Sequence, residues 1–233
     1  ITRPGRKEKG DPMCGGALPG MVSGRVGRAG GSAGRLCFLA GAVVLTAFSC
    51  ARAETVFCRS MDRVASMDPA AASSTYSARA VLLAYETLLE YDYAERPYRL
   101  IPGLAASTPV VQSNGMVYVF SLHPQARFHP DFCFGADADG RKRGRAVTAH
   151  DVVFSLKRLA DRKVASPGAW LVEDAITGMR AFAERSAAPA PTDYARDVAG
   201  LRAVDASTVR IELTRPMHVF PYLLTIAYSA VVP

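Results

Sequence analysis

Long apolar segments and catalytic motifs are scarce in this chain of 233 residues. The apolar run from Leu36 to Ser49 holds only 14 residues, whereas a membrane-spanning helix needs about 20. The phosphate-binding sequence G-x-x-x-x-G-K-[ST] is missing, so ATP could be hydrolysed only by a partner protein. After residue 53 no nucleophile and base stand at a recognisable spacing, and no C-x-x-C or H-x-x-x-H pair occurs. These absences disfavour a membrane-embedded protein, an ATPase, a hydrolase and a structural zinc site.

Three short patterns resemble chemical sites without the context that each site needs. Residues 30–34 match the G-x-S-x-G nucleophile elbow, but they lie in a Gly/Arg-rich leader rather than between a strand and a helix. His129, Asp131 and Cys133 could present metal-binding atoms, but no companion motif completes the ligand set. Residues 137–140 lack the twelve-residue calcium pattern and are interpreted as a polar turn. We therefore expect no metal and no other cofactor.

Positive charge is concentrated near the N-terminus. The net charge is +7, and residues 1–35 hold seven basic residues against two acidic ones. From Glu54 onward the chain has 20 basic and 19 acidic residues, so the charge predicts no nucleic-acid partner. A second basic cluster at residues 141–145 has no interleaved aromatic residues and follows Asp137 and Asp139. We interpret it as a solvated loop rather than a nucleic-acid or phospholipid site.

Residues 1–53 are typical of an export leader. The apolar run is long enough for a signal-peptide core, and a small-x-small pattern ending at Ala53 predicts a mature protein that begins at Glu54. The alternative is a lipoprotein acylated on Cys50, which the preceding Phe48 fits poorly. Residues 1–20 precede a conventional leader that would open at Met21, and an over-extended reading frame would explain them.

Two cysteines, Cys58 and Cys133, would remain after cleavage. Export permits a disulfide between them, and closure of a loop of that size stabilises a fold by about 4 kcal/mol in the chain-entropy model. Two independent thiols, with Cys58 buried, are an equally good interpretation. The sequence leaves both alternatives open.

Local patterns predict two hairpins and several helices. Asn114-Gly115 indicates a type I′ hairpin followed by an alternating strand, because both residues tolerate positive φ. Thr148 and Asp151 form a capping-box pattern that opens a helix, on which Lys157, Arg158 and Asp161 are expected to face water. Further elements are a helix over residues 77–89, a hairpin over 201–213, a short helix over 220–227 and a loop over 186–192.

Several short motifs occur in an order that resembles one protein family. The clearest, residues 144–159, reads G-R-A-V-T-A-H-D-V-V-F-S-L-K-R-L. It is similar to the signature region of family 5 solute-binding proteins, the extracytoplasmic receptors of ABC importers for oligopeptides, dipeptides and related solutes. Further matches follow the family order at Ser66–Pro69, Tyr85–Leu89, Ile101–Ala105, Gly200–Asp205 and Leu213–Pro216.

The resemblance implies an α+β fold, the first part of a two-lobed periplasmic binding protein of type II. Residues 54–91 would form the first segment of the large lobe, and residues 92–233 the small extra domain. The remainder of the receptor, including the second lobe, would be absent from this sequence.

The resemblance also implies a function without chemistry on the ligand. The protein would be a monomer in the periplasm that captures an oligopeptide or a similar solute and delivers it to ABC permease and ATPase subunits. A loop at residues 68–75, with Ser73 and Ser74, would face the cleft. Trp170 would either approach the ligand or serve as a partly buried anchor.

Two questions stay open at this point. The family also includes receptors for nickel chelates, sugars and haem, so the sequence does not name the solute. The alternative to a receptor is an exported interaction module without a transport role, or a truncated and nonfunctional remnant.

Overall fold

The computed structural model describes residues 63–233, and the predicted leader, Cys50 and Cys58 lie outside them. The helices are α1 (Thr75–Ala84), α2 (Ala149–Ala160), α3 (Met179–Ser186) and α4 (Phe220–Leu223). The strands are β1 (Leu89–Tyr91), β2 (Leu100–Pro102), β3 (Val110–Gln112), β4 (Val117–Ser121), β5 (Asp131–Ala136), β6 (Lys142–Arg143), β7 (Leu201–Ala203) and β8 (Thr208–Glu212). Short 3-10 turns lie at Pro69–Ala71, Ser113–Gly115, Ala169–Leu171 and Ala227–Ser229. No helix within residues 63–233 combines the length and the apolar character that a membrane crossing requires.

An antiparallel sheet in the order β3-β4-β8-β7 organises the core. In its central pair Tyr118 lies opposite Ile211 and Phe120 opposite Val209. All four side chains are at most 1% exposed, because alternate residues of a strand face the same side. The predicted hairpin over residues 201–213 is confirmed by the pairing of β7 with β8. Two smaller sheets, β1-β2 and β5-β6, flank this core.

Helix α2 begins where the capping box predicts and packs against β7 and β8. The Asp151 carboxylate accepts hydrogen bonds from the Thr148 N–H (2.7 Å) and the Thr148 hydroxyl (2.9 Å). It also pairs with Arg145, and both interactions hold the pKa of Asp151 below its ordinary value against the opposing effect of burial. The predicted apolar stripe of α2 is buried, with Val152 and Leu156 each 1% exposed.

The prediction that Lys157 and Asp161 face water is wrong, since they are only 4% and 3% exposed. The Lys157 ammonium donates to the backbone carbonyls of Tyr194 (2.9 Å) and Arg196 (2.7 Å). The Tyr194 hydroxyl donates to Asp161 at 2.5 Å. The segment before β7 therefore folds over a helix face that helical periodicity alone assigns to solvent.

The hairpin predicted at Asn114-Gly115 exists, but its turn is longer than a two-residue type I′ turn. Strands β3 and β4 pair with Gln112 opposite Val117, which leaves residues 113–116 in the turn. Positive φ extends over Ser113, Asn114 and Gly115. The glycine is required for a second reason, because an added Cβ would lie 2.9 Å from the His218 ring.

Helix α1 is shorter than the predicted helix over residues 77–89. It ends at Ala84, and Tyr85 is extended with φ −121° and ψ 154°. The chain then pairs with the β2 region, where the Gly103 N–H donates to the Leu88 carbonyl at 2.9 Å. A Cβ on Gly103 would lie 2.2 Å from the Thr87 carbonyl oxygen. This close backbone approach buries Leu88 by strand pairing rather than by helical packing.

Some elements have no counterpart in the sequence prediction. Helix α3 precedes the loop predicted for residues 186–192, and the polar segment before α2 forms the β5-β6 hairpin. The basic cluster lies on this hairpin and is largely exposed, as predicted. The short helix predicted for residues 220–227 is divided into α4 and the following 3-10 turn.

Candidate functional site

The loop at residues 68–75 is the site that the sequence proposes for ligand contact. It opens with a single 3-10 turn whose N-cap is Asp68, which accepts a hydrogen bond from the Ala70 N–H at 3.1 Å. It closes at the N-cap of α1, where the Ser74 hydroxyl oxygen accepts from the Ser77 N–H at 3.1 Å. Both ends of the loop are therefore fixed by side-chain caps.

The two serines of this loop have different roles in the structure. The Ser74 hydroxyl is only partly exposed and also contacts the Ser77 hydroxyl at 3.1 Å. The Ser73 side chain is exposed, and within residues 63–233 its hydroxyl makes no hydrogen bond. Ser73 can thus offer a donor and an acceptor to a ligand, whereas Ser74 is occupied with the helix cap.

A two-bond ion pair fixes the start of the loop to helix α2. Both Arg158 terminal nitrogens donate to the Asp68 carboxylate, each at 2.6 Å. The hydrogen bonds from Arg158 hold the pKa of Asp68 below its ordinary value, although burial opposes them. The helical spacing instead assigned Arg158 to water. The partners are separated by 90 residues, so no local pattern reveals the contact.

Trp170 lies on the 3-10 turn at Ala169–Leu171 and is 58% exposed. The neighbouring Leu171 is 2% exposed. Leu171, rather than Trp170, is therefore the residue that anchors this turn in the core. The preceding Ser166 donates its hydroxyl to the Ala70 carbonyl at 2.5 Å. The structure therefore brings the segment before Trp170 against the candidate loop, while the indole ring itself stays mostly open to solvent.

A recess of about 400 Å³ lies beside the Asp68–Arg158 pair. Tyr85 and Phe154 supply aromatic walls, and Val232 lines another side. The Val232 N–H donates to the Ser155 hydroxyl at 3.0 Å, which holds the last residues along helix α2. The recess offers hydrogen bonds, one balanced ion pair and aromatic surface, an arrangement suited to binding a ligand.

The described residues do not assemble the metal site considered for His129, Asp131 and Cys133. Within residues 63–233 no group of three or more potential metal ligands comes together. Cys133 is exposed on β5, and Asp131 accepts a hydrogen bond from its N–H at 3.0 Å. Whether Cys133 pairs with Cys58 lies outside the described residues.

Comparison with known proteins identifies the family. The sequence model described as "Bacterial extracellular solute-binding proteins, family 5 Middle" matches residues 99–233. The chain belongs to this family. This family 5 chain shares its α+β architecture with part of the type II periplasmic binding proteins, as the resemblance of its motifs implied. Its relatives are solute-binding proteins rather than enzymes.

Relatives with solved structures support the same assignment. The periplasmic murein peptide-binding protein MppA of Escherichia coli is 31% identical over 160 residues, which cover 68% of this chain and 25% of that protein. A structure of the Escherichia coli murein tripeptide binding protein MppA matches with a TM-score of 0.56 and 26% identity, covering 74% of this chain and 29% of the other. OppA of Burkholderia pseudomallei matches with a TM-score of 0.54 and 26% identity, covering 72% and 28%. The chain thus spans about a quarter of the length of these relatives.

Proposed function

We propose that this chain supplies part of the substrate-binding component of an ABC importer, which captures oligopeptides or a similar solute outside the cytoplasmic membrane. The observation that carries the proposal is the family match over residues 99–233, together with the structural likeness to MppA. The protein would act as a monomer and deliver its solute to permease and ATPase subunits. The periplasm is its proposed location, with Cys50 as the attachment point if the leader is that of a lipoprotein.

Residues 54–91 are proposed to belong to the large lobe, and residues 92–233 to the small extra domain. The described part of the first segment is attached to the second at several points. The Asp68–Arg158 pair and the Ser166 hydrogen bond fix its loop, and the Val231 N–H donates to the Glu86 carbonyl at 3.0 Å. These contacts would keep the candidate loop in a fixed position relative to helix α2.

The ligand-contact residues are proposed to be Ser73, Ser74 and Trp170, with Ser74 also capping helix α1. An extended peptide can be held through its main chain, while hydrated pockets accept side chains of different size. Ser73 supports this proposal because its hydroxyl is exposed and uncommitted among the described residues. Trp170 adds an exposed aromatic face of the kind that binds ligands in many proteins.

The proposal is tested by deletion of the gene in its own host, followed by uptake measurements with a radiolabelled pool of tri- to pentapeptides. Loss of uptake, restored by the wild-type gene, is expected. Unchanged uptake would contradict the proposal for peptides and favour an exported module without a transport role.

Variants at the candidate site sharpen this test. Ser73→Ala and Trp170→Ala should reduce uptake at equal protein level. The matched controls are Ser107→Ala, another exposed serine, and Tyr93→Ala, an aromatic residue that is 81% exposed. If the controls reduce uptake as much as the site variants do, the loop does not contact the ligand.

A further inference from the structure

A second groove lies between helix α2 and strand β7, away from the loop at residues 68–75. Its volume is about 490 Å³, and Phe154 and Lys157 of the helix line one wall. The edge strand β7 lines the other, through Leu201, Arg202 and Ala203. None of Ser73, Ser74 and Trp170 lines this groove.

Lys157 is the unusual group in the groove, because a charged side chain that is 4% exposed normally has an ionic partner. Its ammonium has three N–H donors, and two of them bind the Tyr194 and Arg196 carbonyls. Within residues 63–233 no carboxylate lies within ion-pairing distance of Nζ. Asp193 and Asp197 favour the charged form from a distance, but burial outweighs them and lowers the pKa of Lys157. The groove thus contains a buried charge with a donor to spare.

The other wall offers backbone groups that are unpaired within residues 63–233. On β7 the Val204 N–H donates to the Thr208 carbonyl, and the Glu212 N–H donates to the Gly200 carbonyl. In an antiparallel pair the direction of these groups alternates, so the Ala203 N–H and carbonyl point away from β8. The Leu201 carbonyl points the same way, while the Leu201 N–H donates to the Val198 carbonyl at 3.0 Å. Since β7 is the last strand of its sheet, one donor and two acceptors face the groove.

The charges around the groove favour a negatively charged occupant. Arg202 is exposed and makes no ion pair within residues 63–233. Asp197 is the opposing charge that lines the groove. Asp193 adds a second negative charge that acts on Lys157 from a distance, so two acids oppose Lys157 and Arg202. Both acids are exposed whereas Lys157 is buried, and the positive charge of Lys157 is therefore the least screened of the four.

We propose that this groove binds an extended acidic segment of another polypeptide, which adds a strand to the β7 edge and places a carboxylate against Lys157. Strand addition uses the free groups of Ala203 and Leu201, and the carboxylate takes the remaining ammonium donor. This inference goes beyond the proposed importer function and does not depend on it.

The test uses the purified chain and a fluorescein-labelled probe, acetyl-Val-Glu-Val-Glu-Val-amide, followed by fluorescence polarisation. Saturable binding is expected, and replacing both glutamates by glutamines should weaken it about tenfold, since the acceptor loses its charge and its hydrogen bond to the ammonium becomes weaker. Arg202→Gln should weaken binding, whereas Arg215→Gln, at another exposed arginine, should leave it unchanged. An amide spectrum should show the Ala203 N–H shifting on titration.

Backbone methylation of the probe tests strand addition without altering the protein. One probe carries N-methyl groups on both glutamates, and the other carries them on the central and last valines. Because alternate N–H groups of a strand face the same edge, one methylated probe should lose binding and the other should retain it. Equal binding of both probes, no saturable binding, or dimerisation of the chain through β7 in sedimentation would overturn the proposal. A failed uptake test would leave these binding results unaffected, so the two proposals fail separately.

Discussion

Replacing Arg158 by methionine would remove the guanidinium that joins the candidate loop to helix α2, while keeping most of the aliphatic stem. The guanidinium makes two hydrogen bonds of 2.6 Å to Asp68. Its loss would leave the Asp68 carboxylate, whose side chain is 34% exposed, with the Ala70 N–H as its one remaining partner among residues 63–233. The variant should therefore destabilise the loop without disturbing the buried stripe of α2.

The expected magnitude follows from the geometry and the exposure of the pair. A hydrogen bond to a charged group contributes about 1.5–3 kcal/mol, but solvent screens charges that are partly exposed. The side chains of Arg158 and Asp68 are 25% and 34% exposed. We therefore expect Arg158→Met to lower the free energy of unfolding by about 2 kcal/mol, well below the sum of two fully buried bonds. For a domain of this size that corresponds to a fall in Tm of about 4–8 °C.

Urea unfolding followed by circular dichroism measures this change, and Arg99→Met is the matched control. Arg99 also contacts two acids, but its side chain is 62% exposed. The control should therefore change the free energy of unfolding by at most about 0.5 kcal/mol. A double-mutant cycle with Asp68→Asn isolates the pair from other effects of the substitution. If Arg158→Met costs no more than Arg99→Met, the pair does not hold the loop.

Four further outcomes follow from the structure. Gly103→Ala should lower the free energy of unfolding by more than about 2 kcal/mol in urea unfolding, because the new Cβ meets a backbone carbonyl at 2.2 Å. Gly140→Ala should cost less, about 1–2 kcal/mol, because no atom lies within 4 Å of the new Cβ and only the positive φ of 75° opposes it. The folded-state pKa of Asp151 is depressed. The ionised carboxylate therefore stabilises the fold above the unfolded pKa of about 3.9, and this contribution is lost as pH falls through the folded pKa. Asp151→Asn should reduce the fall in the free energy of unfolding that is measured below about pH 4. Lys157→Met should cost about 2–3 kcal/mol, because two carbonyls lose their donor, whereas Lys163→Met, at a more exposed lysine, should cost less in the same assay. In hydrogen exchange, the amides of β4 should be protected more strongly than those of β3, an edge strand whose three residues are all exposed; equal protection would contradict the strand order.

Regular local patterns predicted the elements that can be recognised from their own residues. The capping box placed the start of α2, and alternating apolar residues indicated the strands that became β4 and β8. The end of α1 was missed because Tyr85–Leu89 continues a helical apolar spacing although Leu88 is buried by strand pairing. Within α1 itself, the helical spacing of the apolar residues predicts that Leu82 is buried, yet it is 45% exposed. Periodicity describes a helix face, but it does not reveal what covers that face.

In the candidate site, too, some residues were indicated by the sequence and others are revealed only by the structure. Ser73 and Ser74 are proposed from the family resemblance, and the difference in their hydrogen bonding depends on the Ser77 N–H, which a sequence pattern does not reveal. Arg158 and Lys157 were both assigned to water, since each lies off the apolar stripe of α2. Their partners are far away in sequence, separated by 90 residues for Asp68 and 37 for Tyr194. Only the folded chain brings these groups together.

Helix α2 therefore positions two polar surfaces in addition to covering the sheet. Arg158 fixes the candidate loop on one side, and the next residue along the helix, Lys157, fixes the segment that borders the β7 groove. Adjacent helix residues point about 100° apart, so Arg158 and Lys157 each serve one surface, while Phe154 lines both the recess beside the loop and the β7 groove. The two surfaces can consequently be separated by substitution: Arg158→Met should alter the loop and leave binding at the β7 groove intact, whereas Arg202→Gln should do the reverse. A variant pair that affected both surfaces equally would mean that helix α2 couples the two surfaces rather than holding each independently.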